Sequence, residues 1–589
     1  MGLSYTVDSP VKVARFGISS VVSIIEDRLI EKMRKYYYEQ RNEPYLPITE
    51  KEPDFKARRI TDYLNLLDRI VKEQMERLRN STFEAGSELV LYFEMLPHES
   101  KLKQLYLQML DTREGQTRDK LQHMLRQEIR PGSIDVNIMT KVDPDPETPI
   151  ERQTENNSHA LAALRGFANS ELTEASVVLS AGMNPRLYSY MESLRHFSEY
   201  RNGRFRKMVT VKVSDYRSAL IQGKFLAKKG IWVSEFRVES GLNCGGHTFA
   251  SDGILLGTIL EEFKEKRAAL VEELFGMWKD ARIRKGMDVP DTAPQVRLTV
   301  QGGIGTHEED VLLRDYYQAD GTGWGTPFLL VPEAVVIDPE SLARLSAATE
   351  ADVVSSGRSP LGVRFSSLKD MSAEKEKWAA AAQGKPGSIC TERKLALNTE
   401  YPGTPLCTAS KTYQRRKLAE LDALSLPEAE YQERRHRILE KECLCVGLSN
   451  SAVINYRLSP FGNSTRGITI CPGPNIAYFS KISTLREMVD HIYGRINLLN
   501  PGYRPHFFVK EIGLYLDYLK EECFAVLHTL DDKRKKYFIG FCNNLLQGIA
   551  YYRGLIGKVI RGTEEAMERI REELLKYESE IQGMLLRLA

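Results

Sequence analysis

Gln301-Gly-Gly-Ile-Gly-Thr306 and Gly321-Thr-Gly-Trp-Gly-Thr326 are the two stretches that decide the fold of this chain. The first follows the apolar run 296–300 and precedes a helical pattern at 308–317. Glycines at a strand-to-helix turn let the backbone approach an anion closely, and the free N–H groups and dipole of the next helix favour a phosphate there. The second stretch repeats the arrangement. The two stretches therefore predict a phosphate site, the alternative being a pair of tight turns without a ligand.

Eight apolar runs, each followed by enough chain for a helix, place these turns in a fold. They cover residues 11–17, 88–94, 133–139, 175–182, 208–213, 233–239, 296–300 and 319–324. The run 88–94 fits a helix as well as a strand. Strands that alternate with helical patterns indicate a parallel sheet, and eight of them indicate an α/β protein with a (β/α)8 TIM barrel. In such a barrel the loops after strands seven and eight commonly form a phosphate site, which is where both glycine stretches lie.

The chain is longer than one hydrophobic core normally supports, because it has 589 residues. We expect a barrel over 1–340 with a large helical insertion at about 25–130. A mostly helical, cysteine-containing C-terminal region follows, divided into a cysteine-containing domain at 341–500 and a helical region at 501–589. Apolar positions recur there at spacings of three and four. They predict a helical bundle that packs on the barrel or on a partner subunit.

Bulk composition excludes several classes of protein. Lys and Arg number 82 against 80 Asp and Glu, for a net charge of +2, which gives no case for a nucleic-acid partner. The first residues lack the pattern of a signal peptide, and no window has eighteen uninterrupted apolar residues. We therefore expect a cytoplasmic protein with no membrane partner.

A histidine follows two glycines in Glu239-Ser-Gly-Leu-Asn-Cys-Gly-Gly-His-Thr248, at the end of the sixth candidate strand. Gly245 and Gly246 place the backbone of His247 at the barrel mouth. An imidazole there could act as a base or as a hydrogen-bond donor. The alternative is a structural turn residue.

Four segments together resemble the nitronate monooxygenase (2-nitropropane dioxygenase) family, which includes flavin-dependent enoyl reductases. They are Cys244-Gly-Gly-His247, Gln301-Gly-Gly-Ile304, Asp320-Gly-Thr-Gly-Trp-Gly-Thr-Pro-Phe328 and Pro332-Glu333. The segment 133–141, with Asn137, is similar to the family's Val-Asn strand near the flavin, and 11–20 occupies the place of its opening strand. The resemblance covers about 11–335, and the insertion and the cysteine-bearing C-terminal half depart from the family.

The resemblance implies FMN at the carboxyl-terminal mouth of the barrel. Gly302, Gly303, Gly325 and Thr326 would bind its phosphate through backbone N–H groups, and His247 would be the acid/base. Lys212 would lie near the N1/C2 oxygen of the ring, where a cation stabilises reduced flavin; the alternative is a solvated strand-end lysine. The other positions assigned to the cofactor are Asn137, Gly245, Gly246, Gln301 and Gly323.

Five of the eight cysteines fall between 390 and 471, in turn-like contexts: Cys390, Cys407, Cys443, Cys445 and Cys471. Thiolates that converge from loops could hold a [4Fe–4S] cluster or a structural zinc, and the remaining alternative is no metal. Cys443 and Cys445 lie too close in sequence for both to bind one metal site without strain. Cys523 and Cys542 lie in helical patterns and are expected in the core.

These observations favour an FMN-dependent oxidoreductase of nitronate monooxygenase type, with hydride or electron transfer at the barrel mouth and coupling to an iron–sulfur cluster. The alternatives are a nitronate monooxygenase that uses O₂, and a non-catalytic barrel scaffold that binds a partner through its C-terminal helices. The expected partners are a small-molecule or acyl substrate and a redox partner. A homo-oligomer is compatible with the sequence.

Overall fold

A curved parallel sheet organises the protein. The computed structural model describes residues 3–138, 140, 142–144, 157–245, 252–526, 531–560 and 562–588. The strands are β1 (Ser20–Ser23), β2 (Ile134–Ile138), β3 (Ala175–Leu179), β4 (Lys207–Val213), β5 (Glu235–Glu239), β6 (Arg297–Gln301) and β7 (Gly321–Gly323). They pair in chain order, all in parallel, and the sheet curls into a half-barrel. The α/β class is confirmed.

A full TIM barrel is not confirmed, because two of the eight predicted strands are helical. In the first, Ser9–Val13 is a helix and Ala14–Phe16 a 3-10 helix. Pro10 suits a first helical turn but cannot donate to a strand ladder. The second is the helix Glu88–Glu94, capped by the Ser87 side chain, which accepts the Val90 N–H at 3.3 Å. The opening strand is β1 instead, and in the described part of the chain it does not pair with β7.

The two faces of the sheet differ sharply in polarity. Register places the following residues on one face: Ser23, Asp135, Asn137, Ser176, Thr210, Lys212, Glu235, Arg237, Glu239, Thr299 and Gln301. Val21, Val178 and Met208 also lie on this face. The opposite face is buried and, apart from Lys207 at the start of β4, mainly apolar, with Val22, Val136, Ile138, Val177, Leu179, Val209, Val211, Phe236, Val238, Leu298 and Val300. Side chains alternate between faces along a strand, and right-handed crossovers place the connecting helices on one side. The core therefore lies between the apolar face and the helices, and the polar face is the inner one.

Helices account for most of the rest of the chain. The insertion contains Asp27–Gln40, Phe55–Arg79, Glu88–Glu94, Lys101–Asp111 and Gln116–Glu128. The helices between strands are His159–Asn169, Pro185–Met191, Tyr216–Ala227, Leu256–Arg284 and His307–Val311. Those of the C-terminal region are Pro339–Ser346, Ser372–Ala382, Lys411–Asp422, Glu428–Leu439, Leu444–Gly447, Asn450–Asn455, Leu485–Ile492, Phe507–Val526, Asp532–Leu555 and Glu564–Leu588. Short antiparallel pairs join Tyr200–Arg201 to Arg204–Phe205 and Val353–Ser356 to Phe365–Leu368.

The last helices pack on the sheet's own layer of helices. Glu511 accepts the backbone N–H of Leu256 at 2.9 Å, and the Tyr552 hydroxyl accepts that of Gly257 at 3.0 Å. Both bonds satisfy the N-terminus of the helix that follows β5. The Tyr552 ring also stacks on Phe508, with centroids 4.4 Å apart. Through these contacts the C-terminal helices join the core of the half-barrel. Of the two predicted arrangements, packing on the barrel or on a partner subunit, the structure has the first.

No helix within the described ranges has both the length and the apolar character that crossing a membrane requires.

Candidate functional site

The carboxyl-terminal edge of the polar face carries a connected group of side chains. Lys212 on β4, only 7 % exposed, forms an ion pair with Glu239 at the end of β5. Gln301 at the end of β6 donates its amide to the same Glu239 oxygen at 3.2 Å. Asn137 on β2 lies on the same face, level in the ladder with Val178 and Thr210. The structure thus joins two residues predicted from sequence, Lys212 and Gln301, through Glu239, while Asn137 shares their face of the sheet. Lys212 is buried and paired, not solvated.

Beneath this edge, polar side chains of neighbouring strands form hydrogen bonds with one another. The Ser176 and Thr210 hydroxyls lie 2.6 Å apart, and Thr299 donates to Glu235 at 2.6 Å. Asp135 accepts the Ser176 N–H at 2.8 Å, and burial raises the pKa of Asp135 to about 6. These hydrogen bonds satisfy the polar side chains beneath the edge within the sheet itself.

The first glycine turn follows β6 and requires glycine at two positions. Gly302 and Gly303 have φ values of +109° and +78°, which other residues rarely adopt. A Cβ on Gly302 would lie 2.8 Å from the Ser240 hydroxyl, and one on Gly303 would lie 2.6 Å from Leu242. The turn therefore packs directly against the segment that follows β5.

The helix after this turn contributes less to anion binding than predicted. The predicted helix is present as the α-helical turn His307–Val311, continued by the π-helix Leu312–Tyr316. Its first turn carries Glu308, Glu309 and Asp310. The Gly305 N–H donates to Glu309 at 2.8 Å. Acidic side chains already satisfy the positive end of this helix, so any phosphate at the turn would depend on other backbone N–H groups.

The second glycine turn follows β7 and lies against a loop of the C-terminal region. A Cβ on Gly325 would lie 2.4 Å from the sulfur of Cys244. The Thr326 hydroxyl donates to the carbonyl of Pro472 at 2.7 Å, and the Gly245 N–H donates to that of Cys471 at 3.2 Å. The predicted cofactor positions Gly323, Gly325, Thr326 and Gly245 thus gather at the ends of β5 and β7. Gly246 and His247 lie outside the described residues, and their assignment stays a prediction.

Four of the five predicted metal ligands lie close to one another. The Cys407 thiol donates a hydrogen bond to Cys390, which lowers the pKa of Cys390 to about 7 and raises that of Cys407. Cys443 and Cys445 interact electrostatically with Cys390, and burial raises the pKa of both. Cys471 packs against Phe365 and Leu444. Over the described ranges, however, no three His, Cys, Asp or Glu side chains are arranged to hold a metal ion.

A buried charged cluster follows β1 and was not predicted from the sequence. It consists of Glu26, Asp27, Arg59, His159 and Lys394. Glu26 pairs with Lys394 through one oxygen, while the other is buried without a hydrogen-bond partner, and burial raises the pKa of Glu26 to about 7. Arg59 bonds to Asp27 at 2.7 Å, and burial lowers the pKa of His159. The only sequence signal was an acidic pair directly after an apolar run.

Comparisons with known proteins add little to this geometry. No family model matches the chain, and no curated protein matches it. One similar solved structure is the enoyl reductase domain of MlnA from the macrolactin biosynthesis cluster of Bacillus amyloliquefaciens, with a TM-score of 0.33 and 13% identity. The match covers 72% of this chain and 89% of that chain. A similarity this low carries no argument about the fold or the site of this protein.

Proposed function

We propose that the protein is an FMN-dependent oxidoreductase that transfers a hydride or electrons at the carboxyl-terminal edge of its sheet. One observation carries the proposal. A buried lysine, Lys212, is linked at this edge to the amide of Gln301 through Glu239, beside two glycine turns at the ends of adjacent strands. Asn137 lies on the same face of the sheet.

The donor groups at this edge fit the phosphate of FMN. The carbonyls of Gly303 and Gly305 accept hydrogen bonds from Arg504 and His491. In a trans peptide the carbonyl and the following N–H point in opposite directions. The N–H groups of Ile304 and Thr306 therefore point away from those side chains. Glycine at 302, 303 and 325 lets the two turns pack closely against Ser240, Leu242 and Cys244, and this packing holds their backbone in place.

The polar side chains fit the flavin ring. Bound FMN would supply the capacity to accept a hydride and to release electrons singly. Lys212 would hold a positive charge near the ring, and a cation there favours the reduced, anionic form. Glu239 fixes Lys212 through their ion pair, and Gln301 fixes Glu239 in turn. His247 is the proposed acid/base, and the proposed substrate is a small or acyl-chain molecule that is reduced or oxidised, with the O₂-dependent nitronate reaction as the alternative chemistry.

No step of this proposal passes through an iron–sulfur cluster, because the cysteines of the described ranges form no metal-binding group.

The second candidate is a non-catalytic scaffold that binds a partner through its C-terminal helices. It is favoured because two groups of the predicted phosphate turns already form hydrogen bonds within the protein. The Gly305 N–H donates to Glu309, and the Thr326 hydroxyl donates to Pro472.

Cofactor identification separates the two candidates. We expect heat-treated wild-type protein to release FMN, identified by mass spectrometry. Gly302→Ala should weaken FMN binding by about tenfold or more, because the methyl group collides with Ser240 and displaces the turn. Gly203→Ala is the matched control, since Gly203 also has a positive φ, +79°, but no atom within 4 Å of an added Cβ. Wild-type protein that neither releases flavin nor binds added FMN would leave the scaffold as the better account.

A further inference from the structure

Side chains of the C-terminal region bind the backbone carbonyls of the first glycine turn. Three consecutive carbonyls of this turn each accept a hydrogen bond from a different side chain of the segment 475–504. Arg504 donates to Gly303 at 2.7 Å, Asn475 donates to Ile304 at 2.9 Å, and His491 lies 3.0 Å from the Gly305 oxygen. Since Gly305 lies some 170 residues or more before Asn475, Arg504 and His491 in sequence, this arrangement is a product of the tertiary fold.

Arg504 uses its planar guanidinium in three directions. It donates to both oxygens of Glu309, at 2.7 and 3.0 Å, and its Nε donates to Asn475 at 3.0 Å. The side chain is 9% exposed and that of Glu309 is 3% exposed, so the ion pair is buried. Arg504 therefore holds Asn475 as well as the turn, and a lysine could not reproduce this fork.

The geometry around His491 determines which nitrogen carries its proton. Its Nδ1 accepts the backbone N–H of Leu498 at 3.2 Å, so the proton of the neutral ring lies on Nε2 and is donated to the Gly305 carbonyl. Burial lowers the pKa of His491, which keeps the ring neutral near pH 7. The ring is held edge-on between Trp324 and Phe479.

Arg504 has a second role, which is to neutralise Glu309, because a carboxylate beside the turn repels a phosphate. Glu309 accepts the N–H groups of Gly305 and Phe507 at 2.8 and 3.0 Å. Burial acts to raise the pKa of Glu309, but Arg504 and His506 outweigh it and the pKa is lowered. The carboxylate is therefore ionised, and Arg504 neutralises its charge.

We propose that Asn475, His491 and Arg504 form a turn clamp through which the C-terminal region positions the turn 303–306, so that the N–H groups of Ile304 and Thr306 bind a phosphate group. The clamp orients the N–H groups of the turn, and Arg504 removes the repulsion from Glu309. Phosphate recognition thereby depends on residues of the C-terminal half. This inference rests on the proposed function, and it assigns the clamp residues a positioning role, since they do not face the ligand.

Riboflavin, which lacks the phosphate, provides the probe that isolates this role. We would measure the dissociation constants of FMN and of riboflavin by quenching of flavin fluorescence, and take their ratio as the preference for the phosphate. In Arg504→Met this preference should fall by about tenfold or more, because Glu309 is left unpaired. In the double variant Arg504→Met/Glu309→Gln most of it should return. Arg553→Met, which removes an exposed arginine paired with Glu578, is the control and should leave the ratio unchanged.

Glu309→Gln alone keeps the proposal testable if Arg504→Met does not fold. Loss of the negative charge with Arg504 in place should raise the preference for FMN several-fold. If Arg504→Met weakens both flavins equally, or Glu309→Gln leaves the ratio unchanged, the clamp has no role in phosphate recognition. Wild-type protein that binds neither flavin overturns the proposed function itself. Wild-type protein that binds both flavins equally overturns the clamp alone.

Discussion

The two sides of the sheet's carboxyl-terminal edge are built in different ways. The side at β6 and β7 consists of glycine turns whose backbone groups are oriented by neighbouring side chains. The side at β1 consists of buried ionisable side chains, Glu26, Asp27 and Lys394, paired with one another and with Arg59. At β6 and β7 the groups proposed to bind a ligand are backbone N–H groups, and the buried ion pair of that side, Arg504 with Glu309, lies behind the turn. At β1 the buried charges are the side chains of the cluster itself, and a buried charge is tolerated only while its partners stay in place. The two sides should therefore respond very differently to substitution.

The largest effect is expected at the charged side, from Lys394→Met. Lys394 pairs with Glu26, and its loss leaves this buried carboxylate without its cation, whereas Glu392, 3.5 Å from Lys394, keeps Arg28 at 3.1 Å. We expect the free energy of unfolding to fall by about 3–5 kcal/mol, measured by urea denaturation. The double variant Lys394→Met/Glu26→Gln should recover part of this loss.

Lys417→Met is the control for this substitution. Lys417 also pairs with two glutamates, Glu400 and Glu420, but those two are 42% and 50% exposed. Its replacement should cost less than about 1 kcal/mol. Equal losses in the two variants would show that burial does not distinguish Lys394, and the contrast between the two sides of the edge would fail.

This contrast explains how far the sequence could predict the site. The glycine turns are local: an apolar run followed by Gly302 and Gly303 specifies a strand and a turn within a few residues. Lys394 and Glu26 meet only because the C-terminal region folds over the end of β1, and no local pattern reports that pairing. The same holds for Arg504, which reaches Gly303 from 201 residues away.

The fold divides in a similar way. Strands β2 to β6 were predicted because each carries apolar side chains on one face, packed against helices. Strand β7, Gly321–Gly323, has no such side chains and lies within the predicted segment 319–324. The opening strand was misplaced because the run 11–17 is apolar enough for a strand, while Pro10 begins a helix just before it and β1 offers only four residues. Closure of the barrel was predicted from a count of runs, and a count does not reveal which runs are helical.

A pH dependence provides a second, smaller test of the charged side. Burial raises the pKa of Glu26 to about 7, above its ordinary value of 4.5. The folded state therefore holds the Glu26 proton more tightly than the unfolded state. The stability from this carboxyl is fully present below pH 4.5 and is lost as the pH rises through 7. The loss amounts to about 3 kcal/mol.

Glu26→Gln should remove this loss. We expect the free energy of unfolding of the wild type to decline relative to the variant between pH 4.5 and 7, in urea titrations at a series of pH values. Glu114→Gln, at an exposed glutamate, is the control and should follow the wild type. Parallel pH curves for wild type and Glu26→Gln would mean that Glu26 is already ionised in the folded protein.

The smallest effect is expected on the glycine side, from Thr326→Val. The substitution keeps the shape of the side chain but removes the hydroxyl that donates to Pro472 at 2.7 Å. Loss of one such hydrogen bond should lower the free energy of unfolding by about 1 kcal/mol. Because Thr326 is proposed to bind the phosphate through its backbone N–H, FMN affinity should stay close to that of the wild type. A large loss of FMN affinity with unchanged stability would instead place the hydroxyl itself on the phosphate, and a side chain rather than the backbone would then contact the ligand at this turn.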